Sequence, residues 1–193
     1  FMREDALLLR LAIVLGIANF IATATMTVQV LFAQEVLELS SANYGMVLSA
    51  AALCAISGSL LAPQCIKLLG VQMCLFISVA VWGIFYAVIG LTNSGLIMAV
   101  SLYAVMAGAM LWNVITVSWR QRRIPSELLG RVNSIYRFFG WGSMPLGALA
   151  GGLVVTMLED DLGREMAVRA PFILAGIGCA GLLVYAIFRL RLD

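Results

Sequence analysis

Long stretches without a charged residue alternate with short clusters of charge along this chain. Leu11 to Gln34 carries no charge, and Glu35 and Glu38 close it. Ser40-Ser41-Ala42-Asn43 follows, with residue types suited to capping a new helix. Leu39 to Ile66 is a second uncharged run, ended by Pro63 and Lys67-Leu68-Leu69-Gly70. No further charge appears before Arg120. A helix needs roughly 20 residues to cross about 30 Å of hydrocarbon, so this stretch is long enough for two crossings. It divides at Gly90-Leu91-Thr92-Asn93-Ser94-Gly95, a cluster of helix breakers. Phe138 to Leu158 and Ala170 to Phe188 complete the set, with a polar loop from Glu159 to Arg169 between them. The pattern predicts an all-α membrane protein of six transmembrane helices, over about 8–34, 43–66, 71–91, 95–119, 132–158 and 170–188.

Composition agrees. Hydrophobic residues make up 63% of the chain and charged residues 11%. A soluble domain carries about 25% charged residues, and one core of this size does not hide so much apolar surface from water. The net charge of +2 gives no reason to expect nucleic acid. Arg3 and Arg10 precede the first apolar run, and Ala22-Thr23-Ala24 resembles a signal cleavage site. The run continues to Phe32, too long for a signal sequence, so it reads as an uncleaved span. Cys54, Cys65, Cys74 and Cys179 form no CxxC pair, and there is no histidine. They read as small apolar residues, with no metal site, no cofactor and no hydrolytic enzyme chemistry expected.

The charges also orient the spans. Lys and Arg favour short cytoplasmic loops. With the N-terminus inside, six crossings put Arg3, Arg10, Lys67, Arg120, Arg122, Arg123, Arg131, Arg137, Arg189 and Arg191 on the cytoplasmic side. Of the 12 basic residues, that leaves only Arg164 and Arg169 outside, alongside Glu35, Glu38, Glu159, Asp160, Asp161 and Glu165. The reading is a multi-pass protein of the cytoplasmic membrane with both ends in the cytoplasm. The arginine-rich stretch Arg120 to Arg131 is then the cytoplasmic loop between spans four and five.

No ionisable residue lies at a span centre. Arg137 comes nearest, within reach of the cytoplasmic face by snorkelling. Uncharged polar residues are the candidates that remain. Asn19, Thr23 and Thr27 share one face of the first span. That face either bonds a neighbouring helix or lines a water-filled cavity. Asn113 and Thr116 occupy the fourth span, with Met106 and Met110 on the preceding turns. An amide beside polarisable Met suits a pocket for amphipathic molecules, and ordinary packing accounts for the same pattern. In the fifth span Gly147 and Gly151 form a GxxxG with Ser143 one turn earlier, and Gly140 and Pro145 lie on the same stretch. Small residues let a second helix approach closely, and proline removes a backbone donor and bends the helix.

Trp119 to Gly152 resembles the major facilitator superfamily, and within it the bacterial drug-efflux and siderophore-exporter branch. The residues behind the resemblance are the arginine-rich loop with Ile124-Pro125 and Gly130-Arg131-Val132, and the Met144-Pro145-Leu146-Gly147 helix after it. Asn19 to Tyr44, with Ala33-Gln34-Glu35 before the first outer turn, looks like the same branch. The loop after the second span keeps only Gly58, Lys67 and Gly70 of the usual pattern and lacks its acid. The fifth span keeps Gly140 and Pro145 but has Met144 where the antiporter motif has glycine.

The resemblance implies the C-terminal six-helix half of a twelve-span carrier, built as two inverted three-helix repeats. Its partner would be the N-terminal half, which by analogy would supply the carboxylate for proton coupling. Spans one and four would line a central cavity, which favours the cavity reading of Asn19, Thr23, Thr27, Met106, Met110, Asn113 and Thr116. The expected function is secondary transport of small amphipathic molecules by alternating access. Lys67, Arg120, Arg122, Arg123, Arg131 and Arg137 would set topology and gate the cytoplasmic side, with Glu127 as the local partner of Arg123 or Arg131. The rival readings are an importer of the same superfamily, a permease domain of an ATP-driven transporter, which the short loops disfavour, and a non-transporting six-helix assembly or sensor module.

Overall fold

The structure is a computed structural model that describes residues 6–190, apart from the side chains of residues 54–56. Arg3, Arg191 and the side chain of Cys54 therefore lie outside the described residues. Backbone N–H and C=O groups find no partner in hydrocarbon, so a spanning chain satisfies them within helices. Six helices follow: α1 (Ala6–Leu31), α2 (Ser41–Leu69), α3 (Val71–Leu91), α4 (Gly95–Arg123), α5 (Ser126–Leu162) and α6 (Arg164–Arg189). Each is long and apolar enough to cross a membrane, and the chain is built as a multi-pass membrane protein.

The helices outrun the hydropathic boundaries. At 1.5 Å per residue, the 37 residues of α5 extend about 55 Å, well beyond the hydrocarbon thickness. Two expected loops are therefore helical. The arginine-rich stretch is interrupted only at Ile124 and Pro125, because Pro125 has no N–H to continue α4. The Glu159–Arg169 polar loop collapses to one residue, Gly163. Pro63 does not end α2, which runs on to Leu69 and turns at Gly70. Beyond Leu31, α1 widens over Phe32–Val36, where the Leu37 N–H reaches the Phe32 carbonyl at 3.1 Å, and Glu38 adopts φ 52° to turn the chain. Side-chain caps start the next helices. The Ser40 hydroxyl accepts the Asn43 N–H at 3.2 Å, and the Ser94 hydroxyl accepts the Ile97 N–H.

The helices pack chiefly as α1 on α5, α2 on α4 and α3 on α6, with α3 also along α4. Glycine sets the closest approaches. A Cβ built at Gly147 would overlap the Phe20 carbonyl oxygen and lie 3.0 Å from the Phe20 Cα. One turn further, a Cβ at Gly151 would do the same to Ala24. Gly83 and Gly176 play this part between α3 and α6, where a Cβ at Gly176 would come 3.1 Å from the Gly83 carbonyl oxygen. Many outward-facing side chains are large and apolar, as lipid contact requires, with Met26, Leu68, Leu96, Phe138 and Phe188 among the most exposed of them.

Each end of the bundle is tied by polar contacts. At one end Arg10 donates to the Arg189 carbonyl at 3.0 Å, Gln72 to the Leu190 carbonyl, and the Tyr136 hydroxyl to the Leu8 carbonyl at 2.6 Å. At the other, Arg164 bridges Glu35 at 2.7 Å and Glu159 at 3.0 Å. Buried Arg169 donates to the Gly90 carbonyl (3.0 Å), the Thr92 carbonyl (2.9 Å), the Asn93 side chain and Glu165. It thereby caps the C-terminal end of α3 with a positive charge.

Candidate functional site

A cavity of about 620 Å³ lies among α1, α4 and α5, with α3 and α6 behind it. The small residues of α1 make room for it: Ala18 and Ala22 lie beside Leu15 and Asn19 on its wall. Trp82 and Tyr86 of α3 and Trp112 of α4 form its aromatic part, with the Trp82 and Trp112 rings 5.6 Å apart and tilted. Gly108 allows that pair to form, since a Cβ there would come 3.0 Å from Trp82 Nε1. Met106 and Met144 add flexible apolar wall. Asn19, Asn113 and Asn133 supply amides. Along α4 the lining runs from Val105 to Arg120, about 22 Å of helix, so the cavity extends from mid-depth towards the α4–α5 end.

The structure brings only some of the expected cavity residues together. Asn19, Met106 and Asn113 line the wall. Asn19 also donates to the Gly140 carbonyl at 3.1 Å, so one side chain both bonds a neighbouring helix and faces the cavity. Thr23, Thr27, Met110 and Thr116 are not among the lining residues. The threonines satisfy themselves on their own helices instead. Thr23 donates to the Asn19 carbonyl at 2.7 Å, Thr27 to Thr23 at 2.9 Å and Thr116 to Trp112 at 2.9 Å. Met110 packs on α2, where a Cβ built at Gly58 would lie 3.2 Å from its own Cβ.

The α5 residues expected at a helix contact lie along α1. Gly140 accepts from Asn19 and from the Ser143 hydroxyl (3.0 Å), and Gly147 and Gly151 meet Phe20 and Ala24. Pro145 lies within continuous α5.

The basic residues divide sharply. Lys67, Arg122, Arg123 and Arg131 are exposed. Arg123 stacks 5.2 Å from the Trp119 ring, and Arg122 donates to the Ser118 carbonyl at 3.3 Å. Glu127 joins neither Arg123 nor Arg131. It accepts from the Ser126 hydroxyl at 3.0 Å on its own first helical turn. Arg120 is different. It is only 9% exposed, lines the cavity and lies 3.9 Å over the Tyr136 ring, and its buried Nε makes no hydrogen bond. Arg137, the next residue along from Tyr136, is exposed like the others but also lines the cavity and stacks 4.3 Å from Trp141.

Sequence patterning misses the aromatic wall, because Trp82, Tyr86 and Tyr136 look like ordinary core residues in apolar runs. It misses Arg120 as a wall residue because charge at a span end reads as topology. No protein-family model, no curated protein and no solved structure matches this chain.

Proposed function

We propose that this chain is one six-helix lobe of a secondary transporter of the major facilitator type, moving small amphipathic molecules across the cytoplasmic membrane by alternating access. The observation that carries the reading is the cavity: it runs from mid-depth to one end of the bundle and combines aromatic, thioether and amide groups. That mixture suits a solute with an apolar body and a polar end. A two-repeat arrangement is supported by the packing. Exchanging α1–α3 for α4–α6 turns the α1–α5 pair into the α4–α2 pair and leaves α3–α6 unchanged, and these are the three main pairings. It is supported again by the turns: Gly70, between α2 and α3, has φ 79° and ψ 160°, and Gly163, between α5 and α6, has φ 80° and ψ 160°. The N-terminal lobe of the same carrier would cover the open side of the cavity, and protons are the proposed coupling ion. Charge asymmetry favours a topology with both chain ends and the arginine-rich turn on the cytoplasmic side.

The test is efflux of a fluorescent amphipathic dye from cells expressing the full gene, with Asn113→Leu as the cavity variant. Dye retention equal to that of vector-only cells would overturn the reading. Single cysteines at Ser126 and Asp160 should label from opposite sides of the membrane, and labelling from the same side would remove the topology.

A further inference from the structure

We infer that the cavity selects organic anions, with Arg120 and Arg137 as the groups that receive the negative end. The inference rests on the cavity being the solute site of the proposed carrier. A topological arginine keeps its head in water at the membrane surface, as exposed Arg122, Arg123 and Arg131 do. Arg120 does not: its side chain is buried, its Nε is unpartnered, and the Tyr136 ring covers it at 3.9 Å. Arg137 follows Tyr136 directly and, although exposed, lines the same cavity. Arg120 and Arg137 therefore both line one cavity whose described lining residues include no Asp or Glu. The three described ion pairs all lie at the opposite end of the bundle, around Arg164 and Arg169.

A buried cation without a counter-charge is costly, and an incoming anion removes that cost. The guanidinium fork matches a carboxylate, sulfonate or phosphate in two parallel hydrogen bonds. Asn133, four residues before Arg137 on α5, adds an amide donor beside it. The other end of the cavity is aromatic, with Trp82, Tyr86 and Trp112 deeper in the bundle. The geometry fits a molecule with a flat apolar body and one anionic group directed towards the α4–α5 end. A cationic amphipath of the same shape would meet two like charges.

The experiment uses the product of the full gene in lipid nanodiscs and three probes of one shape: 1-naphthoate, neutral 1-naphthamide and cationic 1-naphthylmethylammonium. Quenching of tryptophan fluorescence reports binding, and empty nanodiscs correct for partition into lipid. Naphthoate should bind at least about tenfold more tightly than either analogue, and Arg120→Gln and Arg137→Gln should each weaken it by about tenfold or more. Arg137→Lys, which keeps the charge, should recover most of the loss. If Arg120→Gln does not fold, the exposed Arg137 pair of variants decides. Equal or tighter binding of the cationic probe, no binding of naphthoate, or unchanged naphthoate affinity in Arg137→Gln would each overturn the inference. Transport of the same probes into vesicles separates the two readings. Selective naphthoate binding without transport keeps the anion site and removes the carrier. Transport that favours the cationic probe keeps the carrier and removes the anion site.

Discussion

The α1–α5 contact predicts an unusual response to very small substitutions. A Cβ added at Gly147 would overlap the Phe20 carbonyl oxygen, and one at Gly151 would overlap that of Ala24. Neither obstacle is the end of a flexible side chain, so the backbones themselves must part. To bring those atoms to ordinary contact, the helices must separate locally by roughly an ångström, and gaps of about 0.5–1 Å forfeit a quarter to a half of the dispersion attraction at each atom pair. Overpacking of this kind costs about 1–3 kcal/mol. Ala would otherwise gain up to about 1 kcal/mol over Gly inside a helix, so Gly147→Ala and Gly151→Ala should each destabilise by up to about 2 kcal/mol net, and by about 1–3 kcal/mol relative to Gly→Ala changes at open sites. One separation relieves both clashes, because the two sites are one turn apart on the same helix. The double variant should therefore cost less than the sum of the singles, by about 0.5 kcal/mol or more. Gly142→Ala and Gly152→Ala are the controls, since a Cβ at either meets nothing within 4 Å. Unfolding in mixed micelles with increasing dodecyl sulfate, followed by helical circular dichroism, measures all five variants beside the parent protein. If Gly147→Ala and Gly151→Ala unfold with the controls, the close approach of α1 and α5 is refuted.

Arg169→Ala should lower stability by about 2–4 kcal/mol in the same assay, because charge-assisted bonds to the Gly90 and Thr92 carbonyls are lost from a buried site, and Arg169→Lys should not restore it. Glu35→Gln should change stability by less than about 1 kcal/mol, since the Arg164 pair is well exposed, and 1 M salt should erase the difference. Tyr136→Phe removes the 2.6 Å bond to the Leu8 carbonyl but keeps the ring under Arg120, so thermal unfolding should show a loss of about 1–3 kcal/mol with the tryptophan fluorescence spectrum of the folded state unchanged.

Helix number is legible in the sequence because lipid imposes it: each charge-free run of sufficient length must become a helix. Helix ends are less legible, because hydropathy marks where hydrocarbon stops and not where hydrogen bonding stops. Arg120, Arg122 and Arg123 are all within α4, and Glu159, Asp160 and Asp161 are all within α5. The GxxxG of α5 announces a close contact, but only the fold reveals that α1 fills it. Polar residues on one helical face are ambiguous for a local reason. Thr23, Thr27 and Thr116 each close a bond to the carbonyl four residues back, which no spacing pattern distinguishes from a bond across a cavity. Asn19, on the same face of α1, bonds across to the Gly140 carbonyl of α5 instead. The aromatic wall depends on which faces of α3 and α4 meet, a tertiary fact with no local signal.

Gly70 and Gly163 carry a further consequence for how this chain tolerates change. Their backbone lies at φ near 80° and ψ 160°, a corner of conformational space essentially restricted to glycine. Asparagine, the usual substitute at left-handed helix ends, gains nothing there, because its favoured basin has ψ near 47°. Each turn is also a single residue long, so it sets the rotational phase of the helix that follows. One inserted residue would advance that phase by about 100°. After Gly70, such an insertion would carry Trp82 and Tyr86 away from the cavity wall, while leaving the hydropathy profile almost untouched.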